Sequence, residues 1–182
     1  MTNVQSGYSI TQMDEDTRLS VFPYKISTYL PESTPVTGLA YSAGIDTKLS
    51  LPVSVSGIPR GFDIFTTLEG SALRFIGSGL GNGDSATFSS DTHASIGSSN
   101  VSTVLTLKAK TRHYTETSFA NAVDVPGFYI KRNQPNNDIG AVALVAPTFT
   151  LNDGDLLEIC VNSTNTVSGI AVNAFAFKIK EE

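Results

Sequence analysis

Period-two alternation of apolar residues is the feature that most constrains this chain. In residues 101–110, Val101, Leu105, Leu107 and Ala109 fall on one side of an extended backbone, with Ser102, Thr106, Lys108 and Lys110 on the other. Residues 169–180 repeat the pattern: Phe175, Phe177 and Ile179 share one side, and Ala174, Ala176, Lys178 and Lys180 the opposite one. A helix would scatter both sets around its axis, so these segments can bury a face only as strands. Further strands are expected at residues 47–55, 62–68, 73–76, 86–95, 127–131, 141–146 and 156–161, separated by clusters of Gly, Asn, Asp, Ser and Pro. The turn Asn152-Asp153-Gly154-Asp155 supplies a glycine where a tight connection needs positive φ, and residues 57–61 form a loop. Short strands at this spacing predict an all-β sandwich. In the last strand Ile170, Val172, Ala174 and Ala176 form a second apolar side, which predicts cover on both faces.

The first 35 residues read differently. Alternation weakens, Asp14-Glu15-Asp16 makes an acidic run, and Pro23, Pro31 and Pro35 interrupt the segment after it. We therefore divide the chain into an extended N-terminal arm, residues 1–35, and a β-sandwich domain, residues 36–182. The arm carries Val21, Phe22, Tyr24, Tyr29 and Leu30, whose apolar area must be covered, either on a neighbouring subunit as an anchor or on the chain's own domain. The sequence favours the anchor.

Charge and composition exclude several functions. Net charge is −5 and no run of Lys or Arg occurs, so the basic stripe that grips nucleic acid is missing. There is no 18-residue apolar stretch for a membrane span, and the first residues lack the pattern of a signal peptide. Only 16% of residues are charged, so the polar surface rests on neutral hydrogen bonding. Cys160 is the only cysteine and lies in an apolar run, Leu156 to Val161, which predicts inert packing.

No catalytic, cofactor or metal site is expected. The motif G-x-S-x-G is absent, and His93 and His113 stand in no paired ligand spacing. The loop Gly77-Ser78-Gly79-Leu80-Gly81-Asn82-Gly83-Asp84 lacks the signature of a phosphate cradle and is followed by a strand. Asp153 with Asp155, and Asp84 with Asp91, read as solvated acidic turns rather than a Ca²⁺ site. The sequons at Asn100 and Asn162 match chance in a chain so rich in Asn, Ser and Thr. Of the ring-bearing residues Tyr114, Phe128 and Tyr129, the last two point to opposite faces, so at most one of that pair can offer a platform.

The segment Phe149-Thr150-Leu151-Asn152-Asp153-Gly154-Asp155-Leu156-Leu157-Glu158-Ile159-Cys160-Val161-Asn162, followed by the aromatic strand at 169–180, resembles the penultimate hairpin of jelly-roll heads related to tumour necrosis factor and the complement globular domain. The order Phe62-Asp63-Ile64-Phe65-Thr66-Thr67, Ser71-Ala72-Leu73-Arg74-Phe75-Ile76-Gly77 and then residues 101–110 is similar to that of bacteriophage virion proteins carrying such heads. This resemblance implies a jelly-roll β-sandwich and a homotrimer. It also implies a non-enzymatic virion protein made in the host cytoplasm: a capsid decoration (cement) or head-fibre protein bound to the major capsid protein or another virion protein. The alternative it carries is the receptor- or glycan-binding head of a tail fibre, using residues 77–84 and 115–121. No stalk precedes the domain and the arm is short and aromatic, which favours direct attachment to a shell.

Overall fold

The computed structural model describes residues 23–30, 36–50, 54–97 and 100–182. Among them the chain forms β1 (Lys25–Leu30), β2 (Val36–Tyr41), β3 (Thr47–Lys48), β4 (Ser54–Val55), β5 (Phe62–Thr67), β6 (Gly70–Phe75), β7 (Ser85–Gly97), β8 (Thr103–His113), β9 (Val123–Gln134), β10 (Ile139–Asn152), β11 (Asp155–Ser163) and β12 (Val167–Glu181), with one 3-10 turn at Phe119–Asn121. Sheet A runs β10-β7-β12-β1-β4, with β2 also on β12. Sheet B runs β5-β6-β11-β8-β9, with β3 also on β11. Strand pairing is antiparallel throughout. The result is the expected all-β jelly-roll sandwich.

The core lies between the sheets and is built on phenylalanine. Phe75 meets Phe88 edge to face with ring centroids 5.2 Å apart, and Phe128 meets Phe177 at 5.8 Å. Offset and edge-on ring contacts of this kind add to the area they bury. In β8 the expected alternation holds: Leu105, Leu107 and Ala109 are buried, while Thr106, Lys108 and Lys110 are partly exposed.

The structure corrects three expectations. Segment 47–55 is not one strand, because Thr47–Lys48 belongs to sheet B and Ser54–Val55 to sheet A. The arm does not extend to residue 35: Lys25–Leu30 pairs along its whole length with β12 and also carries β4. Its own alternation explains this, since Ile26, Thr28 and Leu30 point inward and are buried. The double apolar face of β12 is also revised. Val172 pairs with Ile96 and Ala174 with Ser95, so two residues of β12 face one of β7 and Asn173 sits in a bulge. The bulge reverses parity, and Ile170 and Val172 join Phe175, Phe177 and Ile179 in one buried set. The outward side of β12 beyond the bulge is then Ala176, Lys178 and Lys180.

Register defines two ends. At the arm end, β1 begins beside the end of β12, and Asn152 faces Ser85. At the opposite, far end, Ile139 faces Gly97 and Ser163 faces Leu105.

Candidate functional site

The residues expected to form an anchor divide sharply. Val21 and Phe22 lie outside the described residues. Tyr24 is buried at the arm end: its backbone N–H donates to Glu181 Oε2 (2.8 Å), its hydroxyl donates to Asp84 Oδ2 (2.9 Å), and its ring packs on Phe75. Gly61 makes room for that ring, because a Cβ there would lie 2.4 Å from Tyr24 Cδ1 and its φ is +69°. Leu30 is buried in the same core. Neither Tyr24 nor Leu30 can reach a neighbour, which corrects the anchor assignment for both: inward parity on β1 commits them to the chain's own sandwich. Tyr29, with outward parity, is 41% exposed.

The outward side of sheet B is sealed by ion pairs. On β11, Leu157, Ile159 and Val161 face the core, yet the alternate residues Leu156, Glu158 and Cys160 are buried too. Glu158 accepts from Lys48 Nζ (2.6 Å) and, in bidentate fashion, from Arg112 Nε (3.0 Å) and Nη2 (2.9 Å). Arg112 also donates to Glu69 Oε2 and to the Glu116 carbonyl, and Glu69 accepts from the Phe119 N–H. The 115–121 segment is thereby tied to the tip of the β5–β6 hairpin. Beside this network Asp46 holds both Lys108 (2.8 Å) and Lys110 (3.0 Å). Burial would raise the Asp46 carboxyl, but hydrogen bonds from Lys108, Asn162 and Lys110 outweigh it and hold its pKa at about 2. Lys108 and Lys110 are partly desolvated, but their bonds to Asp46 hold both ammonium groups above the usual lysine range.

Cys160 lies under this layer. Burial first, and then the charge of Asp46, push its thiol up to about 12, so it remains protonated and unreactive at neutral pH. Sheet A presents a different outward face. Across its middle Ser54, Tyr29, Ala176, His93 and Ala143 stand in one register row. Its charged members lie beside this row: His93 Nε2 is 2.6 Å from Asp91 Oδ1, Asp91 stands in register with Lys178, and Lys25 stands in register with Lys180.

Other residues raised by the sequence are dispersed. His113 Nδ1 lies 2.8 Å from Thr115 Oγ1, at the arm end and on sheet B, far from His93 in register. Asp84 is a hydrogen-bond hub, accepting from Tyr24 Oη and from the N–H and hydroxyl of Ser78, and Asp153 Oδ2 accepts from the Gly81 N–H. The glycine-rich loop is thus folded onto the arm end by two carboxylates. Phe128 is buried and Tyr129 is 56% exposed, as their opposite parity predicts. Tyr114 lies under the Arg74 guanidinium (5.7 Å), which itself is held by Asp63.

No family model matches this chain, and no curated protein matches it in sequence. Among solved structures it is similar to Eiger, a TNF of S. frugiperda, with a TM-score of 0.57 and 9% identity over 88% of this chain and 92% of that one. It is also similar to murine APRIL, with a TM-score of 0.52 and 10% identity over 87% of this chain and 99% of that one. Identities this low carry the fold alone: the chain is a TNF-like jelly roll.

Proposed function

We propose that this chain is a non-enzymatic virion component, a phage capsid decoration (cement) or head-fibre protein, which assembles as a homotrimer and holds a shell through contacts between subunits. The observation that carries this reading is the contrast between the two outward faces. Sheet B is closed off by its own ion pairs, whereas the middle of sheet A offers Tyr29, 41% exposed, and Ala176 in register, with the exposed His93–Asp91 contact beside them. A sister subunit laid over Tyr29 and Ala176 would bury aromatic and methyl surface. The TNF-like fold supports the same assembly, since the sequence resemblance to such heads implies a homotrimer. Residues 1–22, with Val21 and Phe22, would then reach the major capsid protein or another virion protein from the arm end. On this reading the protein resides on the assembled virion.

Light scattering on the purified chain tests the assembly. A trimer that Ala176→Glu converts to a folded monomer supports it, and a monomeric parent chain removes it. Attachment is tested by mixing shells with a chain lacking residues 1–22. Binding unchanged by that deletion would sink the anchoring role.

The receptor- or glycan-binding alternative is favoured by one feature, an open hollow of about 380 Å³ at the far end lined by Val104 and Pro135 together with Ser102, Thr103, Asn133, Thr164 and Asn165. Neutral hydroxyls and amides suit sugar hydroxyls. The loop at residues 77–84, which the sequence nominated for this role, is at the opposite end, beside Tyr24. A glycan array separates this reading from the first.

A further inference from the structure

We propose that Asn82 is a site of spontaneous covalent modification: in the native protein its side chain closes onto the Gly83 backbone nitrogen and is converted to aspartate and isoaspartate. The site rests on the geometry of the loop between β6 and β7, and holds or fails independently of the virion reading.

The chain contains one Asn-Gly step, at 82–83, and one Asp-Gly step, at 153–154. Glycine matters in both because a Cβ on the second residue would obstruct the approach of its backbone nitrogen to the preceding side chain. The fold treats the two steps differently. Asn82 and Gly83 are exposed and lie outside any strand, and Gly83 borders an open hollow of about 320 Å³. Among the described residues the Gly83 N–H donates no hydrogen bond and the Asn82 side-chain oxygen accepts none. A Cβ built on Gly83 would meet nothing within 4 Å, so the loop leaves room around this nitrogen. Gly154 is the reverse case: it is buried, its N–H donates to the Phe75 carbonyl (2.8 Å), and the Asp153 carboxylate before it accepts from the Gly81 N–H (2.5 Å). Its nitrogen cannot attack Asp153 without opening the turn between β10 and β11. Asn162, the one asparagine followed by serine, is also held, since Ser163 lies in the ladder with β8 and Asn162 Nδ2 donates to Asp46 (2.8 Å).

The reaction needs only water. The Gly83 nitrogen attacks Asn82 Cγ, a new C–N bond forms as the Cγ–Nδ2 bond breaks, and the proton lost from the Gly83 amide leaves with the side-chain nitrogen as ammonia. Water then opens the cyclic imide at either carbonyl. Release of the Gly83 nitrogen from Cγ gives aspartate, and release from the backbone carbonyl carbon gives isoaspartate, which reroutes the chain through the side chain. Either product replaces a donor by a carboxylate. In the unmodified loop Asn82 Nδ2 donates to Ser78 Oγ (3.1 Å), whose own hydroxyl donates to Asp84 Oδ2 (3.0 Å). A carboxylate at position 82 cannot make the first of these bonds, and it adds a third negative charge to a loop already fastened by Asp84 and Asp153. Asp84 also takes the Tyr24 hydroxyl, so modification loosens the loop at the point where the chain enters β1.

Ageing the purified chain at physiological temperature and pH, followed by peptide mass mapping and an isoaspartyl methyltransferase assay, tests the site. The peptide containing Asn82 should gain about 1 Da and accept methyl groups, at least about tenfold faster than any other asparagine-containing peptide, because only Gly83 leaves its nitrogen unshielded. Asn82→Ser should remove the methyl-accepting signal, and Asp153 should yield isoaspartate only when the chain is aged in denaturant. Asn82→Asp should melt about 1–2 °C below the parent chain, which reads the loosening directly. An Asn82 peptide that stays unchanged in the native protein while the denatured chain converts overturns the proposal. So does an isoaspartate signal that survives in Asn82→Ser, and a melting temperature of Asn82→Asp at or above the parent's overturns the loosening.

Discussion

Asp46 shows how much of sheet B's outward surface depends on pairing. Its carboxyl is held at about 2 against an ordinary value of 3.8, so it binds protons less readily folded than unfolded. Stabilisation from this group is therefore fully present above about pH 4 and is lost as pH falls through 2. Partial exposure screens it to on the order of 1 kcal/mol. Urea titrations of parent and Asp46→Asn should differ by this amount at pH 7 and converge near pH 2; a gap that persists in acid would contradict the assignment. The Arg112–Glu158 pair is a harsher case, because both side chains are almost wholly buried. Arg112→Met leaves Glu158 with Lys48 alone and should cost about 3–5 kcal/mol in the same titration. Cys160 should stay silent toward a thiol reagent at pH 8 in the native protein and react at once in denaturant, since burial keeps its proton on.

At the scale of elements, the bulge at Asn173 decides whether β12 can serve the core. Deleting that residue turns Phe175, Phe177 and Ile179 outward, forfeiting about 1.5–3 kcal/mol for each side chain. Against a total of about 5–15 kcal/mol, this should abolish folding. Asn173→Ser keeps the count and should fold. Circular dichroism and solubility distinguish the two, and a soluble, cooperatively melting deletion would refute the parity argument. Most strands were legible in the sequence because alternation and turn residues mark them, as in β8 and β12. The bulge was not, because alanines on the outer side and Ile170 with Val172 on the inner one share a parity in the bare sequence. Nor was β1, although Ile26, Thr28 and Leu30 alternate: Pro23 and Pro31 on either side imitate an unpaired arm.

For the molecule as a whole, the fold was readable and the candidate surfaces were not. Tyr29, Ala176 and His93 come from three distant segments, and only the ladder brings them into line. The anchor residues divide for the same reason, since parity sends Tyr24 and Leu30 inward and Tyr29 outward. The bond from the Tyr24 N–H to Glu181 also joins the two extremities of the sandwich. A permutant that links residue 182 to residue 23 through a few glycines and opens instead at Asn136-Asn137 should keep every ladder intact. Cargo appended to those new extremities would project from the far end of the sandwich, opposite Tyr24 and Glu181, which makes the scaffold usable for display in either direction.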